Sequence, residues 1–314
     1  MIDIQSPMTP IRKPFDFRRR PPYPHRPKKP VTQEKKVTVC LAIACDCYTP
    51  DTNPKYVVVT DQMVSTGTSS SLSRKMWSLT KSWYAMISGN DVSLVSNVLA
   101  ASWPEISKIE SPTAADVSRI TKTAYQARRT SQLEDMYLAA YDLDMSEFMK
   151  EGRKLLGASI FEQMKFQMDQ YDLGFNLLVC GFDSAKAQFP TLFEVTNPGI
   201  ITPRTVPGYY AGIGAGAANS LSYLDWKKQS QRTSLEQTLY NGIAAKSLAE
   251  SALGVSKETT VTVVERAPSS SERTLKEEQI QRIREIWEKE EASIRPPNLE
   301  SRIIEILKSE PSTT

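Results

Sequence analysis

Hydrophobic and polar positions along residues 37–264 fall into two alternating regimes. Val37–Ala44 alternates and runs apolar, and so does Tyr56–Thr60. With the Asp-, Pro- and Asn-bearing stretch Cys45–Lys55 as a loop between them, they predict two strands. Lys75–Leu79 and Trp83–Ser88 predict a second hairpin. The period then lengthens. Val92, Val95 and Leu99 share a helical face behind Asp91, a residue suited to capping. Val117, Ile120 and Ala124 do the same behind Thr113 and Asp116, which have capping-box spacing.

Residues 131–173 stay helical, with Met- and Phe-rich apolar positions. Phe175–Gly181 has the composition of a fully buried strand. Thr191–Val195 and Tyr209–Ile213 continue the strands, and Ala215–Leu224 predicts a helix opening at a glycine turn. Thr233 with Glu236 predicts the next helix start, with Leu235, Leu239 and Ile243 on its inner face. Thr260–Val264 is a last strand. The order of strands, helices, strands, helices and strand predicts a layered α+β domain, its sheets between helix layers.

Two tails flank this body. Residues 1–36 hold eight prolines, ten Lys/Arg and three Asp/Glu, a charge of +7 against +3 for the whole chain. Such a segment buries too little apolar surface to offset its ordering entropy, so it is expected to be a disordered arm. In residues 267–314, Ala267–Ser271 reads as a linker. Ile280, Ile283 and Trp287 then recur at helical spacing in Glu/Lys/Arg-rich sequence, predicting an amphipathic helix. Pro296–Pro297 stops it, and Arg302–Lys308 begins a short second one.

Composition removes several chemistries. The chain has one histidine, His25, in the arm. Ser–His–Asp and Cys–His catalysis, which need a rigidly held imidazole, are excluded, as are zinc sites built on several histidines. No metal or cofactor is expected. Cys40, Cys45, Cys47 and Cys180 form no CxxC, which suits a reduced cytoplasmic protein. No signal peptide is read at the N-terminus. The longest uncharged stretch, Thr205–Leu224, carries four glycines with polar residues, too broken for a membrane helix. Gly212, Gly214 and Ala217 match G-x-G-x-x-A after a strand, a local dinucleotide fingerprint. No βαβ unit surrounds it and no acidic residue ends a second strand beyond it, so a tight turn with close helix–sheet packing explains the glycines better.

Four residues sit at matching places on the first strands: Thr38 starts the first, Asp61 ends the second, Lys75 opens the third and Gly89 ends the fourth. Together they resemble the proteasome-type N-terminal-nucleophile (Ntn) hydrolases, of the bacterial 20S β-subunit kind. Val57–Asp61, Lys75–Leu79 and the fourteen-residue step from Lys75 to Gly89 carry the likeness. So do Phe175–Asp183, Thr191–Val195 and Tyr209–Gly216, which resemble the later strands and the glycine turn. The resemblance covers residues 38–264.

It implies a four-layer αββα sandwich that self-associates into rings, with a polypeptide substrate and an ATP-dependent unfoldase as partner. It implies threonine chemistry without histidine. Cleavage after Val37 would free Thr38, whose hydroxyl attacks while its own α-amine acts as base. Lys75 would favour the alkoxide, Asp61 would orient Lys75, and the Gly89 N–H would hold the oxyanion. In this reading residues 1–37 are a propeptide.

Three features motivate a second reading, a non-catalytic ring subunit or scaffold whose arm recruits partners. Val37 stands where the family generally has Gly. Ala215 stands where active members have Ser. The segment Ala249–Lys257 lacks the family's Asp-x-x-Ser element. Cys40 as nucleophile would require cleavage inside an apolar strand. A third reading, nucleic-acid association, rests only on the charge of the arm with Phe17 and Tyr23, and is disfavoured.

Overall fold

The computed structural model describes residues 38–47, 53–65, 70–72, 75–89, 92–186, 189–205, 208–266 and 271–292. The arm, Val37, the expected Asp91 cap, Pro296–Pro297 and the second C-terminal helix lie outside them.

One sheet is built from β1 (Cys40–Cys45), β2 (Lys55–Asp61), β10 (Tyr210–Ile213), β11 (Thr259–Glu265) and β12 (Glu272–Thr274), in the order β10-β1-β2-β11-β12. The other holds β5 (Met76–Ser78), β6 (Trp83–Gly89), β7 (Phe175–Asp183), β8 (Phe189–Thr196) and β9 (Ile200–Pro203), in sequence order. Every pairing is antiparallel. A small hairpin, β3 (Met63–Ser65) with β4 (Ser70–Leu72), follows β2. The helices are α1 (Val92–Ser107), α2 (Ala114–Leu133), α3 (Met145–Leu156), α4 (Ala158–Gln170), α5 (Ala217–Trp226), α6 (Leu235–Ala249) and α7 (Glu277–Trp287).

Strand alternation sorts these elements into layers. Along β1, Leu41, Ile43 and Cys45 face α5 and α6, with Ile243 and Leu224 in the same cluster. The intervening Cys40, Ala42 and Ala44 face the second sheet, meeting Met86, Leu178 and Cys180. Both faces of the strand are buried, so large residues point to the helices and small ones to the closer-packed sheet–sheet interface. Ala85, Ile87, Leu177, Val179, Phe193 and Val195 form the outer face of the second sheet, covered by Val95 and Val98 of α1 and Val117 and Tyr125 of α2. The layers therefore run helix, sheet, sheet, helix. Each fully buried aliphatic side chain contributes roughly 1.5–3 kcal/mol, so three clusters of this size dominate the fold's stability.

Local signals behave as their chemistry predicts. Thr113 accepts from the Asp116 N–H, and Asp116 accepts from the Thr113 N–H, completing the capping box of α2. Ile280 of α7 is buried against the α6 layer, with Ile283 and Trp287 partly buried beside it. Residues 131–173 are helical in pieces, with a π turn at Glu134–Leu138 and a 3-10 turn at Ala139–Tyr141 between α2 and α3.

Some expectations need correction. The expected cap Thr233 is instead a turn residue whose hydroxyl accepts from the Ser230 N–H; the cap of α6 is Ser234, which accepts from the Gln237 N–H. Among the described residues the first strand starts at Cys40, after Thr38 and Val39, and α5 starts at Ala217 because the glycine turn uses two more residues. The sequence pattern gave no sign of β3, β4, β9 or β12, each only three or four residues long. Among the described residues no helix is long and apolar enough to cross a membrane.

Candidate active site

Antiparallel register builds the site. Cys40 pairs with Thr60, so the residues just beyond, Val39 and Asp61, lie opposite each other, and the Asp61 N–H donates to the Val39 carbonyl at 3.1 Å. This carries Thr38, two residues before β1, to the carboxylate that ends β2. Lys75 arrives from the other sheet. Its carbonyl accepts from the Ile87 N–H at 3.2 Å, which fixes the residue beside β6 just ahead of β5. The Cys40 thiol donates to the Ile87 carbonyl at 3.2 Å, tying the two sheets together at the same end.

Three side chains meet there and all are buried: Thr38 is 1%, Asp61 0% and Lys75 4% exposed. The Thr38 hydroxyl donates to Asp61 Oδ1 at 2.5 Å, and the Lys75 ammonium donates to the same oxygen at 2.5 Å. Lys75 Nζ also donates to Thr38 Oγ1. The Val39 N–H adds a contact to Oδ1 at 3.2 Å, and the Ser256 N–H reaches Oδ2 at 3.4 Å. A buried carboxylate is costly unless paired and hydrogen-bonded, and Asp61 is both. Chemically, the cluster holds a hydroxyl against an ammonium that favours its alkoxide, with a carboxylate orienting both.

Of the four expected site residues, the structure therefore brings three into direct contact. Gly89 ends β6, paired with Phe175, two residues beyond the Ile87 carbonyl that binds Cys40. It does not join the hydrogen-bonded cluster. Packing accounts for the glycine: a Cβ there would lie 2.5 Å from the Gly174 carbonyl and from Phe175 Cβ. Beside it, Ser88 is buried with no partner for its hydroxyl among the described residues.

The glycine turn packs on Thr38. Gly214 has φ +100°, and a Cβ would lie 2.2 Å from the Thr38 carbonyl oxygen, so both conformation and space demand glycine. The Gly216 N–H points to that same oxygen at 3.4 Å. This favours the tight-turn explanation of the motif over the dinucleotide one. Ala215 lines an open cleft of about 440 Å³ with Gly214, Asn176, Glu194 and Arg204. Across it Arg204 pairs with Glu194 at 2.8 Å, and the Asn176 amide donates to Glu194 at 3.3 Å.

Cys40 is a poor nucleophile in this setting. Burial pushes its thiol up to about 12, outweighing the Lys75 charge that pulls it down, while Asp61 pushes it further up. At neutral pH it is a thiol, not a thiolate.

Sequence reasoning missed the support beneath Asp61. The segment Ala249–Lys257, which lacks the family's Asp-x-x-Ser element, supplies the Ser256 N–H to Asp61 through its backbone. Behind it Lys246 of α6 is 0% exposed and donates to Glu250 Oε1 at 2.6 Å, the Ser256 carbonyl at 2.6 Å and the Lys257 carbonyl at 2.9 Å. Its pKa is pulled down, first by burial, against the opposing effect of Glu250. Arg284 of α7 reaches Glu250 Oε1 at 2.7 Å. A signal existed: Lys246 lies three residues after Ile243, on the buried face, with Glu250 four residues on.

Comparison with known proteins narrows the family reading. No family model matches the chain, and no curated protein matches it. Among solved structures it is similar to a mutant Anbu from Hyphomicrobium sp. strain MC1, at 12% identity and a TM-score of 0.52, covering 88% of this chain and 99% of that one. Anbu is an Ntn-hydrolase-like, proteasome-related protein. The assignment to the bacterial 20S β-subunit family is therefore withdrawn. What the chain shares with the proteasome-related Anbu is the fold, on which Thr38, Asp61 and Lys75 form a buried cluster.

Proposed function

We propose that the chain is a subunit of a proteasome-like assembly and a threonine-type peptidase whose nucleophile is Thr38, freed by cleavage of the Val37–Thr38 bond. The observation that carries this reading is the buried contact of the Thr38 hydroxyl with both Asp61 and Lys75. The likeness to Anbu supports it at the level of fold.

The chemistry follows from the residues. Thr38 Oγ1 attacks the carbonyl carbon of a peptide bond, and its proton passes to the freed α-amine of Thr38, whose ordinary pKa is about 7.7–8.0. Lys75 stabilises the alkoxide as it forms, and Asp61 keeps Lys75 aimed at it. The Gly89 N–H serves the oxyanion. The C–N bond then breaks, and the Thr38 ammonium returns the proton to the departing amine. Water activated by the same amine hydrolyses the Thr38 ester. Copies of the same chain in a ring, and an ATP-dependent unfoldase delivering polypeptide, are the partners this reading carries.

One observation favours a second reading, the non-catalytic ring subunit. Ala215, beside the turn that packs on Thr38, offers no side-chain hydrogen bond to a freed amine. The test is hydrolysis of fluorogenic peptides by purified full-length protein and by Thr38→Ala. The peptidase reading expects turnover in the first and none in the second. Equal turnover in both would refute Thr38 as nucleophile, and a large oligomer without turnover would establish the scaffold.

A further inference from the structure

Lys246 presents a cost that filling space does not explain. An ammonium taken wholly out of water is unfavourable where an apolar side chain would pack as well. Its three N–H groups are all spent, and two go to main-chain carbonyls, Ser256 and Lys257, in the segment that enters β11. The Ser256 N–H points the other way, to Asp61 Oδ2. That segment is thus held from behind by Lys246 and presents an amide to the site carboxylate in front.

A second helix grips the same place. Arg284 of α7 donates to Glu250 Oε1, to the Lys257 carbonyl at 3.2 Å and to Thr259 Oγ1 at 3.1 Å. Buried Ile280 seats α7 on the α6 layer. A continuous set of contacts therefore runs from Arg284 through Glu250 and Lys246 to Ser256, then to Asp61, Lys75 and Thr38.

We propose that Lys246 and Arg284 are positioning residues for the Thr38 site, through which α7 helps set the orientation of the Asp61 carboxylate. Neither residue touches the reacting atoms. Both act by clamping residues 256–259, whose Ser256 amide fixes Asp61 Oδ2. The role in turnover rests on the peptidase reading; the clamp itself does not.

The experiment therefore uses two readouts on the full-length protein carrying Lys246→Met, Arg284→Leu, or the conservative Lys246→Arg and Arg284→Lys. Peptide hydrolysis is expected to lose at least about tenfold in kcat for the first two, with KM within about twofold, because misplacement rather than lost binding is the defect. Arg284→Lys should recover part of that loss. Hydrogen exchange at the Ser256 amide is expected to quicken in both disruptive variants, while the Tyr125 region of α2 keeps its wild-type rate. Unchanged Ser256 exchange in folded Lys246→Met or Arg284→Leu would overturn the clamp. Quickened exchange with unchanged kcat would overturn its role in turnover. If Lys246→Met does not fold, Arg284→Leu and Lys246→Arg carry the same two readouts. If the wild type hydrolyses no peptide, the peptidase reading fails on its own, and exchange still decides the clamp.

Discussion

Among the described residues two lysines are buried, Lys75 and Lys246, and their surroundings differ. Lys246 is enclosed by a carboxylate and two main-chain carbonyls, one acceptor for each N–H. Lys75 has two acceptors among the described residues, and one of them is a hydroxyl, Thr38 Oγ1. A saturated ammonium holds backbone in place. An ammonium aimed at a hydroxyl polarises it. Burial alone does not mark a catalytic lysine; the identity of its acceptors does. Charge compensation differs as well. Glu250 is shared between Lys246 and Arg284, whereas among the described residues Asp61 is ion-paired with Lys75 alone.

The largest effect that sharpens this contrast is on turnover. Thr38→Ala should reduce peptide hydrolysis by about 10³-fold or more. Its stability should change little, because Lys75 and Asp61 remain paired; a steady-state assay beside thermal unfolding checks both. Next comes Lys75→Met, which leaves a buried carboxylate without its cation. Its cost to stability should be about 3–5 kcal/mol by urea unfolding, together with loss of hydrolysis. Lys246→Met should cost less, about 1–3 kcal/mol, since Glu250 keeps Arg284, the Lys257 carbonyl keeps its bond from Arg284, and the principal loss is the partner of the Ser256 carbonyl. A Lys246→Met cost equal to that of Lys75→Met would break the contrast.

The smallest effect concerns pH. Burial lowers the pKa of folded Lys246, while the unfolded chain holds that proton up to about 10.4. Between the lowered value and about 10.4 the unfolded state binds more protons, so this group makes the protein more stable as pH rises. Glu250, Arg284 and Asp61 are the charged groups facing it. The destabilisation of Lys246→Met relative to wild type should therefore widen as pH rises through that window, measured by urea unfolding at several pH values. A gap that narrows would contradict the lowered pKa.

The sequence made much of the fold legible because the body of the domain follows simple periods. β2 ends at Asp61 in the sequence pattern and in the structure, and the Thr113–Asp116 box is local chemistry that survives tertiary packing. The Thr38, Asp61 and Lys75 set was legible because each sits at a strand end. The support beneath Asp61 was not, because it acts through the backbone of Ser256, and main-chain donors leave no trace in residue type. Arg284 lies 34 positions from Glu250, so their pairing is a product of tertiary structure. The cap at Ser234 was missed because two adjacent hydroxyl residues compete, and the turn claimed Thr233.

The central claim is that Thr38 becomes an N-terminal nucleophile. It is tested most directly by intact-mass measurement of purified full-length protein beside its Thr38→Ala variant. The account predicts that the wild type has lost residues 1–37 and begins at Thr38, while the variant retains them. A wild-type protein that keeps residues 1–37 would contradict it, because the Thr38 nitrogen would then be a peptide amide and could take no proton.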